Sequence, residues 1–195
     1  MNDLWARILT WFAAHVPPGF FSPNPGASES EIRDAEAALG LRLPADFVES
    51  YRLHNGGREG AFFRNYELMP LKEITRTAAF KKQLLTLDWG DYIPQPEGPI
   101  KQVFWNAQWV PFMDTGSGDN LCIDLDPAPG GAVGQVIEFG HELGPERLIA
   151  PSFCAWLSQF ADDLEAGRYG FGEESLNIER IETEFPPADE AFDGE

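Results

Sequence analysis

The sequence has few basic residues for its length. Of its 195 residues, 14 are Lys or Arg and 32 are Asp or Glu, which gives a formal net charge of -18 at pH 7. Because binding to nucleic-acid phosphates requires clustered Lys and Arg, this balance argues against a nucleic acid as the partner. The charge favours a partner protein with a basic surface, since opposite charges steer association.

Cysteine and histidine are also scarce. The two cysteines, Cys122 and Cys154, lie among apolar neighbours in a predicted strand and a predicted helix. A thiol in that setting behaves as a small buried group rather than as half of a disulfide framework, so we predict a cytoplasmic protein. None of the three histidines lies in a nucleophile motif, and no G-x-S-x-G is present. We therefore predict that the protein is not an enzyme and expect no catalytic residue and no cofactor.

Long hydrophobic runs are missing as well. No run reaches the roughly 18 apolar residues that a membrane span needs, so we expect no membrane partner. The short segment ILTWFAAHV resembles a signal peptide only in part, because Asp3 and Arg7 break its charge pattern. Its apolar side chains recur at helical spacing: Leu4, Ile8, Trp11 and Phe12. This spacing predicts an amphipathic helix that belongs to the fold.

What the sequence does contain predicts a single α+β domain. A hydrophobic fraction of 43% excludes global disorder. Ser28 and Glu31 form the pattern of a capping box, and Gly40 marks the end of the helix that they begin. Ser152 and Gly167 bound a closing helix in the same way.

Between these helices lie closely spaced strand candidates, each bounded by turn residues: KQVFW, WVPFM, NLCIDLD and GQVIEF. The short connections favour a mainly antiparallel central sheet, flanked by N-terminal helices and one C-terminal helix.

The charge is uneven along the chain. From Ala161 to Glu195 there are twelve acids and two bases. We predict an α+β domain over residues 1–170, in which 1–27 form an N-terminal helix and a Pro-rich connection. Residues 171–195 are predicted to be an acidic, flexible tail.

The most informative acids lie between Trp109 and Phe139. They are Asp114, Asp119, Asp124, Asp126 and Glu138. Their spacing matches no standard calcium loop, so we predict no metal site. Paired carboxylates such as Asp124 and Asp126 are able to perform acid and base chemistry, but acids beside a hairpin more often serve solvation. DTGSGDN supplies turn residues, and the simplest interpretation places the acids on the solvent face of a strand.

The order of these motifs resembles the Smi/Knr-type branch of the SUKH superfamily. SESEIRDAEAALGLRLPADFVESYRLHNGG is similar to the opening of that family, and WVPFMDTGSGDNLCIDLDPAPGGAVGQVIEF is similar to its central segment. IAPSFCAWLSQFADDLEAG resembles its closing helix. The Gly118–Asp119 and Asp126–Pro127 pairs match family positions. The resemblance implies a single α+β domain and supplies no catalytic residues.

The resemblance also implies a function by protein contact. In bacteria, members of the family act as immunity proteins that bind and block a cognate toxin, and fungal relatives are linked to cell-wall assembly and signalling. Our first hypothesis is toxin immunity, with the five acids binding a basic surface of the toxin. The alternative is a non-enzymatic regulatory or adaptor module. A metal-dependent enzyme centred on the aspartates is a third hypothesis.

Overall fold

The computed structural model describes residues 1–88 and 90–181. Its helices are α1 (Asn2–His15), α2 (Glu29–Leu39), α3 (Ala45–Leu53), α4 (Leu71–Lys81) and α5 (Phe153–Glu165), and a 3-10 helix spans Lys82–Thr86. The strands are β1 (Ser22–Pro23), β2 (Gly57–Arg58), β3 (Glu67–Leu68), β4 (Trp109–Asp114), β5 (Asn120–Asp124), β6 (Gln135–Gly140), β7 (Gly144–Ala150), β8 (Tyr169–Gly172) and β9 (Asn177–Arg180). The predicted α+β class is confirmed.

The central sheet is an antiparallel meander. Its five strands follow chain order, β3-β4-β5-β6-β7, and each neighbouring pair is antiparallel. The predicted strands WVPFM, NLCIDLD and GQVIEF correspond to β4, β5 and β6. Strand β7, which carries the sequence GPERLIA, was not predicted.

The helix boundaries follow the capping signals. Ser28 Oγ accepts a hydrogen bond from Glu31 N at 3.3 Å, and Glu31 Oε2 accepts one from Ser28 N at 2.8 Å, so the capping box is confirmed. Gly40 ends α2 with a φ of 72°, a left-handed conformation that is strained for other residues. Ser152 Oγ accepts the N–H of Ala155 at 3.1 Å and caps α5 as predicted.

One face of the sheet packs against the helices and forms the main core. Helix α1 belongs to this core, since Trp5, Ile8, Trp11 and Phe12 are buried in it. Trp5 Nε1 also donates to Ser50 Oγ of α3 at 2.9 Å. Each such large apolar side chain contributes about 1.5–3 kcal/mol when it is fully buried. The predicted N-terminal helix is therefore confirmed as part of the fold.

The other face of the sheet is covered as well. A second cluster joins the sheet residues Trp109, Cys122, Ile137 and Phe139 to Ile100, Phe104 and Trp105. The last three lie in a loop, so the predicted strand KQVFW is wrong. Its apolar side chains cover the sheet instead of extending it. The loop is attached to β7 by hydrogen bonds from Glu97 N to Glu146 O and from Leu148 N to Glu97 O.

The predicted tail begins inside a hairpin. Strands β8 and β9 pair with each other, and Ile178 is buried in the main core, so residues 171–181 are not a flexible tail. The remaining part of that prediction, residues 182–195, lies outside the described residues. Within the described chain, no helix is both long and apolar enough to cross a membrane. Cys122 and Cys154 are both free thiols, and Cys122 is buried.

Candidate functional site

The five acids do not form one face. Asp114 and Asp119 flank the turn between β4 and β5, whereas Asp124 and Asp126 lie at the opposite end of β5. Glu138 lies within β6. The sequence interpretation placed all of them on a solvent-exposed surface, and the structure separates them into three locations with different environments.

Asp124 is fully buried, with 0% of its surface exposed. Its Oδ1 accepts hydrogen bonds from Trp109 Nε1 at 3.0 Å and from Asp126 N at 2.9 Å, and its Oδ2 accepts one from Gln135 Nε2 at 2.9 Å. Burial raises the pKa of this carboxyl, and the three donors oppose that shift. The predicted exposure of Asp124 is wrong, because the loop that carries Trp105 covers this face of the sheet.

Asp126, two residues later, is half-buried. Its Oδ2 lies 2.5 Å from Lys101 Nζ and accepts a hydrogen bond from Asn106 Nδ2 at 2.9 Å. The hydrogen bonds from Asn106 and Lys101 hold the pKa of this carboxyl below its usual value. Asp126 therefore anchors the covering loop to the end of β5.

Glu138 is also buried, with 8% of its surface exposed. Its Oε1 accepts the hydroxyl of Tyr66 at 3.0 Å, and its Oε2 lies 2.5 Å from the Arg147 guanidinium. Burial and the neighbouring Glu138 carboxylate raise the pKa of Tyr66. The predicted exposure of Glu138 is wrong, because Tyr66, which immediately precedes β3, and Arg147 of β7 cover its carboxylate.

Asp114 and Asp119 shape the two turns at one end of the sheet. Asp114 accepts hydrogen bonds from Gly116 N and from Asn120 Nδ2, the latter at 2.8 Å. Asp119 Oδ1 accepts from His141 N at 2.9 Å and lies 2.7 Å from His141 Nδ1. Burial would raise the pKa of Asp119, but the hydrogen bonds from His141 outweigh it and the pKa is lowered. Asp114 therefore stabilises the β4–β5 turn from within, and Asp119 holds that turn against the β6–β7 turn.

The two turns and the end of α4 enclose a cleft of about 520 Å³. One wall is formed by Asp114, Ser117, Gly118 and His141. The other wall is formed by residues of α4 and the 3-10 helix: Arg76, Thr77, Phe80, Lys81 and Leu84. Of the five predicted acids, only Asp114 lines this cleft, and Asp119 contacts the lining residue His141.

The sequence interpretation missed the residues on the α4 side of this cleft, and Lys81 is the most informative of them. It is 5% exposed, yet its ammonium group has no carboxylate within 4 Å among the described residues. Nζ donates to Gly118 O at 2.6 Å and lies 4.2 Å from the centre of the Phe139 ring. Burial lowers the pKa of Lys81. The sequence does contain a signal that Lys81 is buried: it stands three residues after Ala78, on the apolar face of α4.

Exposed apolar side chains are concentrated at the end of α4 and in the segment that follows it. Among the described residues, ten large apolar side chains are exposed, and five of them fall within residues 80–93: Phe80, Leu85, Leu87, Tyr92 and Ile93. We call these five residues the apolar patch. Trp89, in the same segment, lies outside the described residues. Tyr92 extends toward the β6–β7 turn, where its hydroxyl donates to Leu143 O at 2.9 Å.

A larger groove of about 700 Å³ lies between α1 and the β8–β9 hairpin. Trp11, Leu164, Tyr169 and Ile181 line it. Because the chain continues directly from Ile181 into residues 182–195, which lie outside the described residues, the cleft is the better-defined candidate site. Across the described part of the chain, no three His, Cys, Asp or Glu side chains are grouped as metal ligands.

Comparison with known proteins places these features in a family. The model of the SMI1 / KNR4 family (SUKH-1) matches residues 26–159, which includes the cleft and the apolar patch. The chain is 25% identical to the cell wall biosynthesis/cell cycle regulator smi1 of Schizosaccharomyces pombe, over 93% of this chain and 39% of that protein. It is 23% identical to the cell wall assembly regulator SMI1 of Saccharomyces cerevisiae, over 85% of this chain and 40% of that protein.

A glucan synthesis regulatory protein of Neurospora crassa is 24% identical, over 89% of this chain and 40% of that protein. The chain thus spans about two fifths of the length of these curated relatives. Their names describe regulators, which favours the predicted regulatory alternative over toxin immunity. The resemblance to the family is confirmed, and its bacterial immunity branch is not.

Proposed function

We propose that this chain, which belongs to the SMI1 / KNR4 family (SUKH-1), functions as a non-enzymatic regulatory module that binds another protein. The family match over residues 26–159 is the observation that carries this proposal. The relatives named as regulators of cell-wall assembly and glucan synthesis support a role in a related process. We propose a cytoplasmic site of action, which the free thiols of Cys122 and Cys154 support.

The proposed binding surface is the apolar patch together with the adjoining cleft. Several exposed apolar side chains close to polar groups are typical of protein interfaces, because burial of the apolar groups releases water and the polar groups give specificity. Phe80 is 65% exposed at the edge of the cleft. Aromatic side chains in such a position commonly contribute a large share of binding energy.

Immunity to a toxin is the second candidate function. The net charge of -18 favours it, because an acidic protein associates rapidly with a basic surface. Three of the five predicted acids, Asp114, Asp119 and Asp126, remain partly exposed and are the ones proposed to contact such a partner.

Affinity capture from the native organism tests both candidates. The wild-type protein is compared with a Phe80→Ser/Leu85→Ser variant and with a Val133→Ser control, whose side chain is 73% exposed outside the apolar patch. The regulatory proposal predicts a partner that is retained at high salt and by Val133→Ser, and is lost from the double variant. Equal capture by all three proteins contradicts the proposed surface. A basic toxin-like partner that dissociates at high salt and binds all three proteins supports immunity instead.

A further inference from the structure

The cleft holds a buried cation whose charge is not neutralised within the described residues. Lys81 has three N–H donors, and its hydrogen-bonded partner is the carbonyl of Gly118. The faces of Phe139 and Trp105 lie 4.2 and 5.6 Å from Nζ and give weaker cation–π contacts. Since a buried charge without a counterion is costly, pairing with an incoming anion would offset that cost.

The carboxylates near Lys81 are committed to other donors. Asp114 is bonded to Gly116 N and Asn120 Nδ2, and Asp119 is bonded to the backbone and ring of His141. Moving either carboxylate toward Nζ would break the turns that form the cleft wall. A ligand is therefore better placed than either aspartate to supply the missing negative charge.

The edge of the cleft adds a second requirement. Phe80 presents an exposed aromatic ring on the same wall as Lys81. Arg76 also lines the cleft, but it is largely exposed and its guanidinium is already paired with Glu73 at 3.5 Å. A suitable ligand therefore combines a carboxylate with an adjacent apolar group. In proteins, this combination occurs where Asp or Glu lies next to a large apolar side chain.

We propose that the cleft binds an acidic and apolar segment of the partner protein, in which an Asp or Glu carboxylate pairs with Lys81 and a neighbouring apolar side chain packs on Phe80. Charge complementarity selects this occupant, because Lys81 lines the cleft and has no carboxylate partner within the described residues. The inference rests on the proposed function and specifies the chemistry of its partner.

Phenylacetate is a minimal probe that carries both groups, and 2-phenylethanol is its uncharged counterpart. Binding is followed by amide NMR shifts of Gly116, Gly118 and His141 in the full chain. We expect saturable shifts with a Kd on the order of 1 mM, and at least about tenfold weaker binding of 2-phenylethanol. Lys81→Met should abolish these shifts, whereas Lys72→Met, at an exposed position of the same helix, should leave them unchanged. Equal binding of the two probes, or undiminished binding by Lys81→Met, would overturn the inference.

The same variants separate this inference from the proposed function. In affinity capture, Lys81→Met should lose the partner that Lys72→Met retains. If the Phe80→Ser/Leu85→Ser variant loses the partner while Lys81→Met keeps it, the apolar patch binds the partner and the carboxylate contact is wrong. If all variants keep the partner, the proposed surface itself is wrong.

Discussion

Asp119 and His141 join the two turns at one end of the sheet. The carboxylate of Asp119 accepts the backbone N–H of His141 at 2.9 Å and lies 2.7 Å from the ring Nδ1. This contact holds the β4–β5 turn against the β6–β7 turn, and both turns contribute to the cleft wall. Asp119, which belongs to a residue pair that matches family positions, thus has a structural role at the candidate site.

Replacing Asp119 by Asn should destabilise the protein in a pH-dependent way. Because the folded-state pKa of Asp119 is lowered, its contribution is present above the ordinary Asp value of about 3.9 and is lost as pH falls through the folded-state value. We expect Asp119→Asn to cost about 1 kcal/mol at pH 7, and the difference from wild type to shrink toward pH 3. Urea unfolding of both proteins between pH 3 and pH 7 measures this difference in the free energy of unfolding. A difference that does not change with pH would contradict the role assigned to the charge of Asp119.

Asp124→Ala should be among the more damaging substitutions of an acid. It leaves the donors of Trp109, Gln135 and Asp126 without their acceptor in a buried location. We expect a loss of about 3 kcal/mol in the free energy of unfolding. Asp91→Ala, at an exposed loop position, should stay within about 0.5 kcal/mol of wild type. Equal effects in chemical denaturation would mean that Asp124 is not the structural acceptor described.

Ile8→Ala should show that α1 is integral to the domain, although α1 precedes the residues that match the family model. Ile8 is fully buried in the main core, so its truncation leaves a cavity and should cost about 3 kcal/mol. Thr10→Ala, at an exposed position on the same helix, is the control. Thermal unfolding measures both variants. Equal melting temperatures of Ile8→Ala and Thr10→Ala would contradict the assignment of α1 to the core.

Two substitutions of Lys81 separate packing from charge. Lys81→Met keeps a long apolar side chain and removes a buried charge, so stability should be unchanged or should increase by about 1 kcal/mol. Lys81→Ala also removes the packing against Phe139 and should cost about 2 kcal/mol relative to Lys81→Met. Urea unfolding of both variants measures this order. The reverse order would mean that the side-chain stem of Lys81 does not stabilise the fold by packing, and a Lys81→Met variant less stable than wild type would mean that the Gly118 contact of the charged group dominates.

Local signals in the sequence predicted much of the fold. Ser28, Gly40 and Ser152 act through contacts with residues at most four positions away, so their roles can be read from a short window. The strands β4, β5 and β6 were predictable because β-branched and aromatic residues stand between turn residues. The family resemblance rests on the same segments.

The covering of the second sheet face was not predictable. KQVFW has the composition of a strand, but Phe104 and Trp105 bury their rings on residues that are distant in sequence. Alternation along β5 places Cys122 and Asp124 on one face without indicating what covers that face. Strand β7 was missed because Gly, Pro and charged residues dilute its apolar pattern. The loop conformation of KQVFW, the burial of Asp124 and the formation of β7 all depend on tertiary packing rather than on local sequence.

The candidate site was likewise only partly predictable from the sequence. Asp114 and Asp119 were identified from sequence, but their proximity to α4 depends on how the helix packs against the sheet. Lys81 continues the spacing of Leu71, Ile74 and Ala78, which a helical pattern reveals as a core position. That its charge lines a cleft follows only from the fold.

Site-specific photo-crosslinking tests the central claim most directly. A photoreactive amino acid replaces Phe80 in one version of the protein and Val133 in another, and both are irradiated in extracts of the native organism. Our account predicts a discrete crosslinked partner from position 80 that is absent from position 133 and disappears when Leu85→Ser is added. Identical crosslinks from both positions, or crosslinks only from position 133, would show that the apolar patch is not where this regulatory module binds its partner.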